Sequence, residues 1–285
     1  MSEYIVGVDL GGTNVRAGLV CNGKIEKVEK ALVPSEAKHA EEVVQVIIDT
    51  IEEVIHVDTV GIGIGIPSLL NRNEGIVYDV QNIPSWNEVP LKQLLEDYFK
   101  IPVLLDNDAN CFALGERMYG SGKNSEDFVG LTLGTGMGSG IIKNGILLPD
   151  RNCGSGEFGS VPYKDSIYEE YCSGKYFKNT AGLKGEEVFA KATEGDVQAH
   201  NLFTEFGKHV AHAIQLIMYS VDPEMIIIGG SIAGAKMFYE EALLTELKKF
   251  PYRRSVDNLN IKFSKMDQSA ILGAAALIVN KQTNN

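Results

Sequence analysis

Apolar positions along this chain follow two different periods, and the alternation between them outlines its elements. From Val6 the chain reads VGVDLGGTNVRAGLVCNGKI, and from Val129 it reads VGLTLGTGMGSGIIKNGIL. In each copy a short apolar strand meets a glycine-rich turn, a second strand follows, and an Asn-Gly pair leads into a third. Gly7 and Gly11 are spaced like Gly130 and Gly134, and Gly18 and Gly23 like Gly140 and Gly145. Asn-Gly favours the two-residue hairpin turn with positive φ at both central positions. One copy is a weak signal; two at matched spacing predict a duplicated unit.

The segments after each hairpin predict α/β halves. Val44, Ile47, Ile48, Ile51 and Ile55 recur at helical spacing in HAEEVVQVIIDTIEEVIHV. TVGIGIGIP and PVLLDND then read as buried strands, the second ending at a helix start. In the second half Phe203, Phe206, Val210, Ile214 and Ile217 mark a long helix, and EMIIIGG after it is another buried strand with a glycine turn at its end. Ligands of such sheets lie beyond the carboxyl ends of the strands, where the glycines and carboxylates of this chain gather.

Composition narrows the function classes. The chain has 285 residues, 44% apolar and 22% charged, and carries a net charge of −12. That charge argues against a nucleic-acid or anionic-membrane surface, although backbone amides can still hold an anion locally. Four cysteines (Cys21, Cys111, Cys153, Cys172) share no close spacing and lie far from the histidines, so reduced thiols are expected. The first strand begins at Tyr4, with no room before it for a signal peptide, and no apolar run approaches a spanning length of about 18 residues. A soluble cytoplasmic protein is expected.

In DLGGTN and LGTGMG the glycines are expected to permit positive φ and close approach of the backbone to a ligand. Successive amides then form a concavity suited to phosphate oxygens. Thr13, Asn14 and Thr135 add side-chain donors, and Asp9 could meet a magnesium ion through water. Polar-tipped hairpin turns are the plainer account of either one alone. GSGKNS at Gly120–Ser125 lacks the earlier glycine of a P-loop, and no G-x-G-x-x-G opens a helix in the dinucleotide manner.

LLDNDANCFALGE places Asp106, Asn107 and Asp108 where a strand hands over to a helix. Asp and Asn are favoured N-caps, and one of the three is expected to cap. Asp108 could also take a proton from an attacking hydroxyl, at a near-normal pKa, with Asn107 orienting that hydroxyl. A third stretch, CGSGEFGSVPYKDSIYEEYC from Cys153 to Cys172, can be read as a metal site, a disulfide loop or a polar pocket for a hydroxyl-rich ligand.

Taken in order, DLGGTNVRAG, GIGIPSLLNRNEGIVYDVQNIPSWNEVPL, DNDANCFALGE, LTLGTGMGSGIIKNGILL, GSGEFG and PEMIIIGG resemble the ROK sugar kinases over nearly the whole chain. The resemblance implies an α/β, two-lobed actin-like or hexokinase-like ATPase fold, related to ribonuclease H, with the hairpin and α/β lobe duplicated. It implies an N-terminal lobe at 1–115, with a C-terminal helix at 269–282 packing back on it, and a C-terminal lobe at 116–268. The implied reaction is ATP- and Mg²⁺-dependent phosphorylation of a hexose hydroxyl, C6 of glucose by default, with the lobes closing over the sugar. Asp108 would be the general base; Asn107, Glu157, Glu169 and Ser68 would border the sugar. Gly11, Gly12, Thr13, Asn14, Gly134, Thr135 and Gly136, with Asp9, would surround the phosphates, and Gly229 and Gly230 would lie near the adenosine. A homodimer or homotetramer is implied as well.

The chain departs from the family pattern at the zinc motif and at Ser68. The usual Glu-x-Gly-His and three-cysteine zinc cluster is missing: Ser160 stands at the histidine position, and SVPYKDSIYEE contains no cysteine. No zinc site is expected, because thiolate and imidazole ligands are lacking; packing of Tyr163, Ile167, Tyr168 and Tyr171 is expected in its place. The loss of that histidine and the presence of Ser68 in a glycine position leave the sugar open, with N-acetylmannosamine, allose, fructose or a β-glucoside as alternatives to glucose. A non-catalytic sugar sensor, an ATPase without a small acceptor and a polyphosphate donor are weaker readings.

Overall fold

The computed structural model describes residues 3–11, 13–34, 36–80, 83–149 and 154–283; Gly12 and Cys153, singled out above, lie outside them. The chain divides into two compact units, Met1–Lys123 with Leu147–Ser155 and Lys265–Asn285, and Asn124–Ile146 with Gly156–Ser264.

In the first unit β1 (Tyr4–Leu10), β2 (Asn14–Cys21) and β3 (Lys24–Leu32) form an antiparallel meander. Asn22 and Gly23 take φ of 50° and 74°, as the predicted hairpin turn requires. Helix α1 (Ala40–Glu52) buries Val43, Val44, Ile47, Ile48 and Ile51; Ile55, expected on this helix, follows its end and is partly buried. Next come β4 (Thr59–Ile66), the short β5 (Leu70–Asn71), β6 (Ile76–Tyr78) and β7 (Glu88–Val89), then α2 (Leu91–Phe99), β8 (Val103–Asn107) and α3 (Asp108–Met118). The main sheet has the order β3-β2-β1-β4-β8, with β4 parallel to both neighbours, and β5-β6-β7 form a separate small sheet. Edge strand β3 carries Lys24, Glu26, Lys27, Glu29 and Lys30 on a largely exposed surface, charges that discourage pairing with another chain.

The second unit repeats this plan. Strands β9 (Phe128–Leu133), β10 (Met137–Lys143) and β11 (Ile146–Leu147) are joined by a turn in which Asn144 and Gly145 have φ of 52° and 73°. Gly130 lies opposite Gly140 in this hairpin, as Gly7 lies opposite Gly18 in the first. A 3-10 turn (Phe158–Ser160) precedes β12 (Pro162–Tyr163), β13 (Ser166–Ile167), α4 (Tyr168–Cys172), α5 (Gly174–Ala181) and α6 (Gly185–Thr193). Helix α7 (Val197–Val221) begins at the Asp196 cap, whose side chain accepts from Ala199 N at 2.8 Å, and buries Phe203, Phe206, Val210, Ile214 and Ile217 as the spacing predicts. Fully buried β14 (Met225–Gly229), α8 (Lys236–Leu247), α9 (Arg253–Asn258) and β15 (Asn260–Phe263) complete a sheet of order β11-β10-β9-β14-β15. The two sheets share one strand order and one pattern of parallel and antiparallel neighbours.

The last helix, α10 (Ser269–Thr283), belongs to the first unit. Ile271, Leu272, Ala275 and Ile278 pack with Ile5 and Val20 of the sheet, while Ala274 and Leu277 pack with Cys111 and Leu114 of α3. A helix that is apolar all round is one buried on more than one side. No helix among the described residues is long and apolar enough to cross a membrane.

Candidate functional site

The register of the first sheet assembles a row of residues at the carboxyl ends of its parallel strands. Asp9 on β1 pairs with Gly65 on β4, and Gly65 pairs with Asp106 on β8. Residues in register share a face, so Asp9 and Asp106 project to one side, with the bare Gly65 between them. A Cβ on Gly65 would lie 3.6 Å from the Asp108 Cα, which shows how near the start of α3 comes to the strand end. Asn107 is the N-cap: its Oδ1 accepts from Ala109 N at 2.9 Å, and Asp108 Oδ1 accepts from the same amide at 2.8 Å. The capping account of this tripeptide therefore holds for Asn107, whose amide nitrogen the cap does not use.

Asp108 is exposed to solvent, while the protein around it weakens the hydration of its carboxyl. That desolvation, reinforced by the like charge of Asp9, raises its pKa from 3.8 to about 6. The near-normal value expected from sequence is corrected upward, because desolvation depends on neighbours that no local pattern records. Asp106 is 4% exposed; burial pushes its carboxyl upward, and Arg72 beside it opposes that rise. Asp9 is ion-paired with Arg16, whose Nε also donates to it at 3.1 Å.

The turn between β1 and β2 is closed by a bond from Gly11 N to Asn14 O at 2.8 Å, and Thr13 is exposed at its tip. Its counterpart in the second unit closes by Gly134 N donating to Gly136 O at 3.0 Å, with Thr135 exposed. Gly11, Gly134 and Gly136 do not adopt positive φ, contrary to the expectation above. At Gly136 the backbone runs close to a side chain instead: a Cβ there would sit 2.6 Å from Glu169 Oε2, which would have to shift.

Glu169 is held against this turn. Its Oε2 accepts from Met137 N at 3.1 Å, and its Oε1 pairs with Lys175 Nζ at 2.6 Å. Glu157 is exposed at the head of the 3-10 turn, which packs on β10, and Ser139 Oγ donates to Gly156 O at 2.5 Å. The Glu169 carboxylate is thus tied to the first residue of β10, and the backbone just before Glu157 is tied to Ser139 of the same strand. Gly229 pairs with Thr132 across the sheet, and Gly230 follows at φ 82°, where a Cβ would meet the Leu133 carbonyl carbon at 2.7 Å. Gly134, Gly136, Glu169, Gly229 and Gly230 therefore gather at the carboxyl ends of the central strands β9 and β14. Ser68, in the first unit, uses its hydroxyl to donate to Tyr78 O at 2.5 Å, linking the loop after β4 to the small sheet.

The ROK family pattern matches residues 5–281. The chain belongs to the ROK family. It is 32% identical over 96% of its length to the glucokinase of Thermotoga maritima, covering 96% of that protein. With a β-glucoside kinase of Listeria monocytogenes it shares 29% identity, covering 95% of each chain. The crystal structure of a ROK family glucokinase from Streptomyces griseus with glucose and AMPPNP superposes with a TM-score of 0.82 at 25% identity, covering 96% of this chain and 98% of that one. The fold is the actin-like, hexokinase-like α/β fold, and the two sheets of matched order are the cores of its duplicated lobes.

In this ROK protein the segment before α4 is built on aromatic packing. Tyr163 on the β12–β13 hairpin stacks on Tyr168 at 4.2 Å between ring centroids and meets Tyr171 edge-on at 5.3 Å. Tyr163 Oη lies 3.1 Å from His209 Nδ1, and burial lowers the His209 pKa to about 4. Cys172 carries a free, buried thiol, and no cluster of three or more His, Cys, Asp or Glu that could hold a metal occurs among the described residues. Because the sequence lacks the family's thiolate and imidazole ligands here, prolonged chelation with EDTA is expected to leave the melting temperature unchanged, whereas Tyr163→Ala lowers it. Stoichiometric zinc in the purified protein would contradict this account.

Two polar side chains were missed in the sequence, Arg72 in the first unit and Lys175 in the second. Lys175 follows Glu169 by six positions across a helix break, so no helical spacing links them. Arg72 lies 34 residues before its partner Asp106, and no spacing rule connects the two.

Proposed function

We propose that this ROK protein is an ATP-dependent sugar kinase that phosphorylates a hexose hydroxyl, with glucose at C6 as the first candidate. The observation that carries the reading is Asp108: an accessible carboxylate, at the head of a helix, with a pKa of about 6. A general base is most effective when its pKa lies near the working pH. Asp108 takes the proton of the sugar hydroxyl as that oxygen bonds to the γ-phosphorus. The bond from phosphorus to the bridging oxygen breaks, and ADP leaves. Asn107, whose cap bond employs only Oδ1, donates from its amide nitrogen to the sugar, and Glu157 and Glu169 accept from sugar hydroxyls. Gly11, Thr13, Asn14 and Gly134 to Gly136 bind phosphate oxygens, and Gly229 and Gly230 bear on the adenosine.

Asp9 fits a water-mediated contact to Mg²⁺. The ion keeps much of its water shell and binds through one or two carboxylates together with the phosphates, and Asp9 stands at a strand end next to a glycine turn. When bound with ATP, Mg²⁺ neutralises charge that builds on the phosphates. Arg16 fixes the Asp9 carboxylate meanwhile.

The test is ADP release across a panel of glucose, mannose, allose, fructose, N-acetylglucosamine, N-acetylmannosamine and a β-glucoside. Turnover dependent on one or a few of these is expected. ATP hydrolysis indifferent to every sugar, or sugar binding by calorimetry with no sugar phosphate formed, would overturn the reading. Glu169→Gln is expected to raise the KM for sugar by about tenfold or more, since one buried hydrogen-bond partner can set discrimination among sugars; steady-state kinetics with the preferred sugar checks this.

A further inference from the structure

Asp106 is the most deeply buried of the three polar residues at the end of β8. Its Oδ1 accepts from Arg72 Nε at 2.9 Å, from Asn110 Nδ2 at 2.9 Å and from Asn107 N at 2.7 Å. A single oxygen thereby joins the turn of the small sheet, the first turn of α3 and the backbone of the residue that caps α3. The arginine is delivered by a turn with constraints of its own. Asn71 Oδ1 accepts from the amides of Asn73 and Glu74, both at 3.1 Å, and Gly75 N donates to Asn71 O at 2.7 Å. Gly75 O in turn accepts from Lys92 N at 3.2 Å, which fastens the turn to the start of α2.

A buried ion pair seldom stabilises a fold more than apolar residues of the same volume. Its presence here is better explained by the geometry it imposes. We propose that Arg72 and Asp106 are positioning residues for phosphoryl transfer, holding the Asn107 backbone and the head of α3 so that Asn107 and Asp108 meet the sugar hydroxyl in a fixed orientation. Neither touches the reacting atoms. The inference rests on the kinase reading above, and its physical basis is that a displacement of about 1 Å at reacting groups costs on the order of a hundredfold in rate.

The test compares wild type with Arg72→Met, Arg72→Lys and the double variant Arg72→Met/Asp106→Asn. The double variant leaves no buried charge unpaired, so it keeps the fold in case Arg72→Met alone does not. Each is assayed below its melting temperature with the preferred sugar. The expected result for the double variant is a kcat lower by about tenfold to a hundredfold with the KM for ATP within about twofold of wild type. Arg72→Lys restores part of the loss. In the sugar-free protein, the amides of Asn107 and Ala109 exchange with solvent faster in the double variant. A folded double variant with wild-type kcat, or a loss that merely follows the folded fraction, would overturn the proposal. If wild type shows no sugar-dependent turnover, the kinase reading fails by itself; exchange still decides the positioning claim, which is overturned if both amides keep wild-type protection.

Discussion

Asp108→Asn is expected to lower sugar-dependent ADP release by roughly 10²–10⁴-fold and, at neutral pH, to raise the melting temperature. Both effects come from one cause. Desolvation of the carboxyl makes it a stronger base and also makes its charge unfavourable in the folded protein. The folded pKa of about 6 lies above the ordinary 3.8, so folding takes up a proton between these values. Wild type therefore loses stability as pH rises through this window, and above pH 6 the folded state bears the full cost of the charge. Asparagine keeps an acceptor for the Ala109 amide and carries no charge, so its advantage in melting is greatest above about pH 6 and fades toward pH 4. In wild type, kcat/KM for the sugar should fall with an apparent pKa of about 6 as the medium is acidified, because protonated Asp108 accepts no proton. Turnover that survives Asp108→Asn, or a profile flat down to pH 5, would remove Asp108 from the role of base.

The parts of this molecule that could be read from sequence are those whose cause is local. Asn22-Gly23 and Asn144-Gly145 announce their turns because few residues other than Asn and Gly accept positive φ at both positions. The helices α1 and α7 show their buried faces as a period in the chain. The tripeptide Asp106-Asn107-Asp108 attracts notice because polar residues at the end of a buried strand need a reason. What stayed hidden depends on distant partners. The division of labour within the tripeptide, with Asp106 anchoring, Asn107 capping and Asp108 accessible, requires knowing that Arg72 arrives from the small sheet. The elevated pKa of Asp108 depends on its surroundings, among them Asp9 on another strand. The glycines of LGTGMG were noticed for the right residue type and an incomplete reason: Gly136 has no left-handed backbone, and a Cβ there would push against the carboxylate of Glu169.

Gly63→Ala is expected to be among the most destabilising single-methyl additions in the first unit, by roughly 3 kcal/mol or more. Gly63 on β4 pairs with Gly7 on β1, and α10 passes over both. A Cβ on Gly63 would fall 2.7 Å from the Ala274 carbonyl carbon and nearer still to its oxygen, while one on Gly7 would lie 3.0 Å from the Ile271 carbonyl carbon. These obstacles are helix backbone, which has no rotamer with which to yield. Nor can α10 back away as a rigid rod, because α3 crowds it as well: a Cβ on Gly273 would lie 2.6 Å from the Cys111 carbonyl carbon. Relief of one contact tightens the other, and the strain passes through α3 toward Asn107 and Asp108 at its head. Urea unfolding of Gly63→Ala should thus show the large loss, accompanied by a lower kcat in the molecules that remain folded. Gly234→Ala serves as the control, since a Cβ there meets nothing within 4 Å and its φ is not positive; its stability should match or slightly exceed that of wild type. A loss below about 1 kcal/mol for Gly63→Ala would mean that α10 has freedom this packing does not allow.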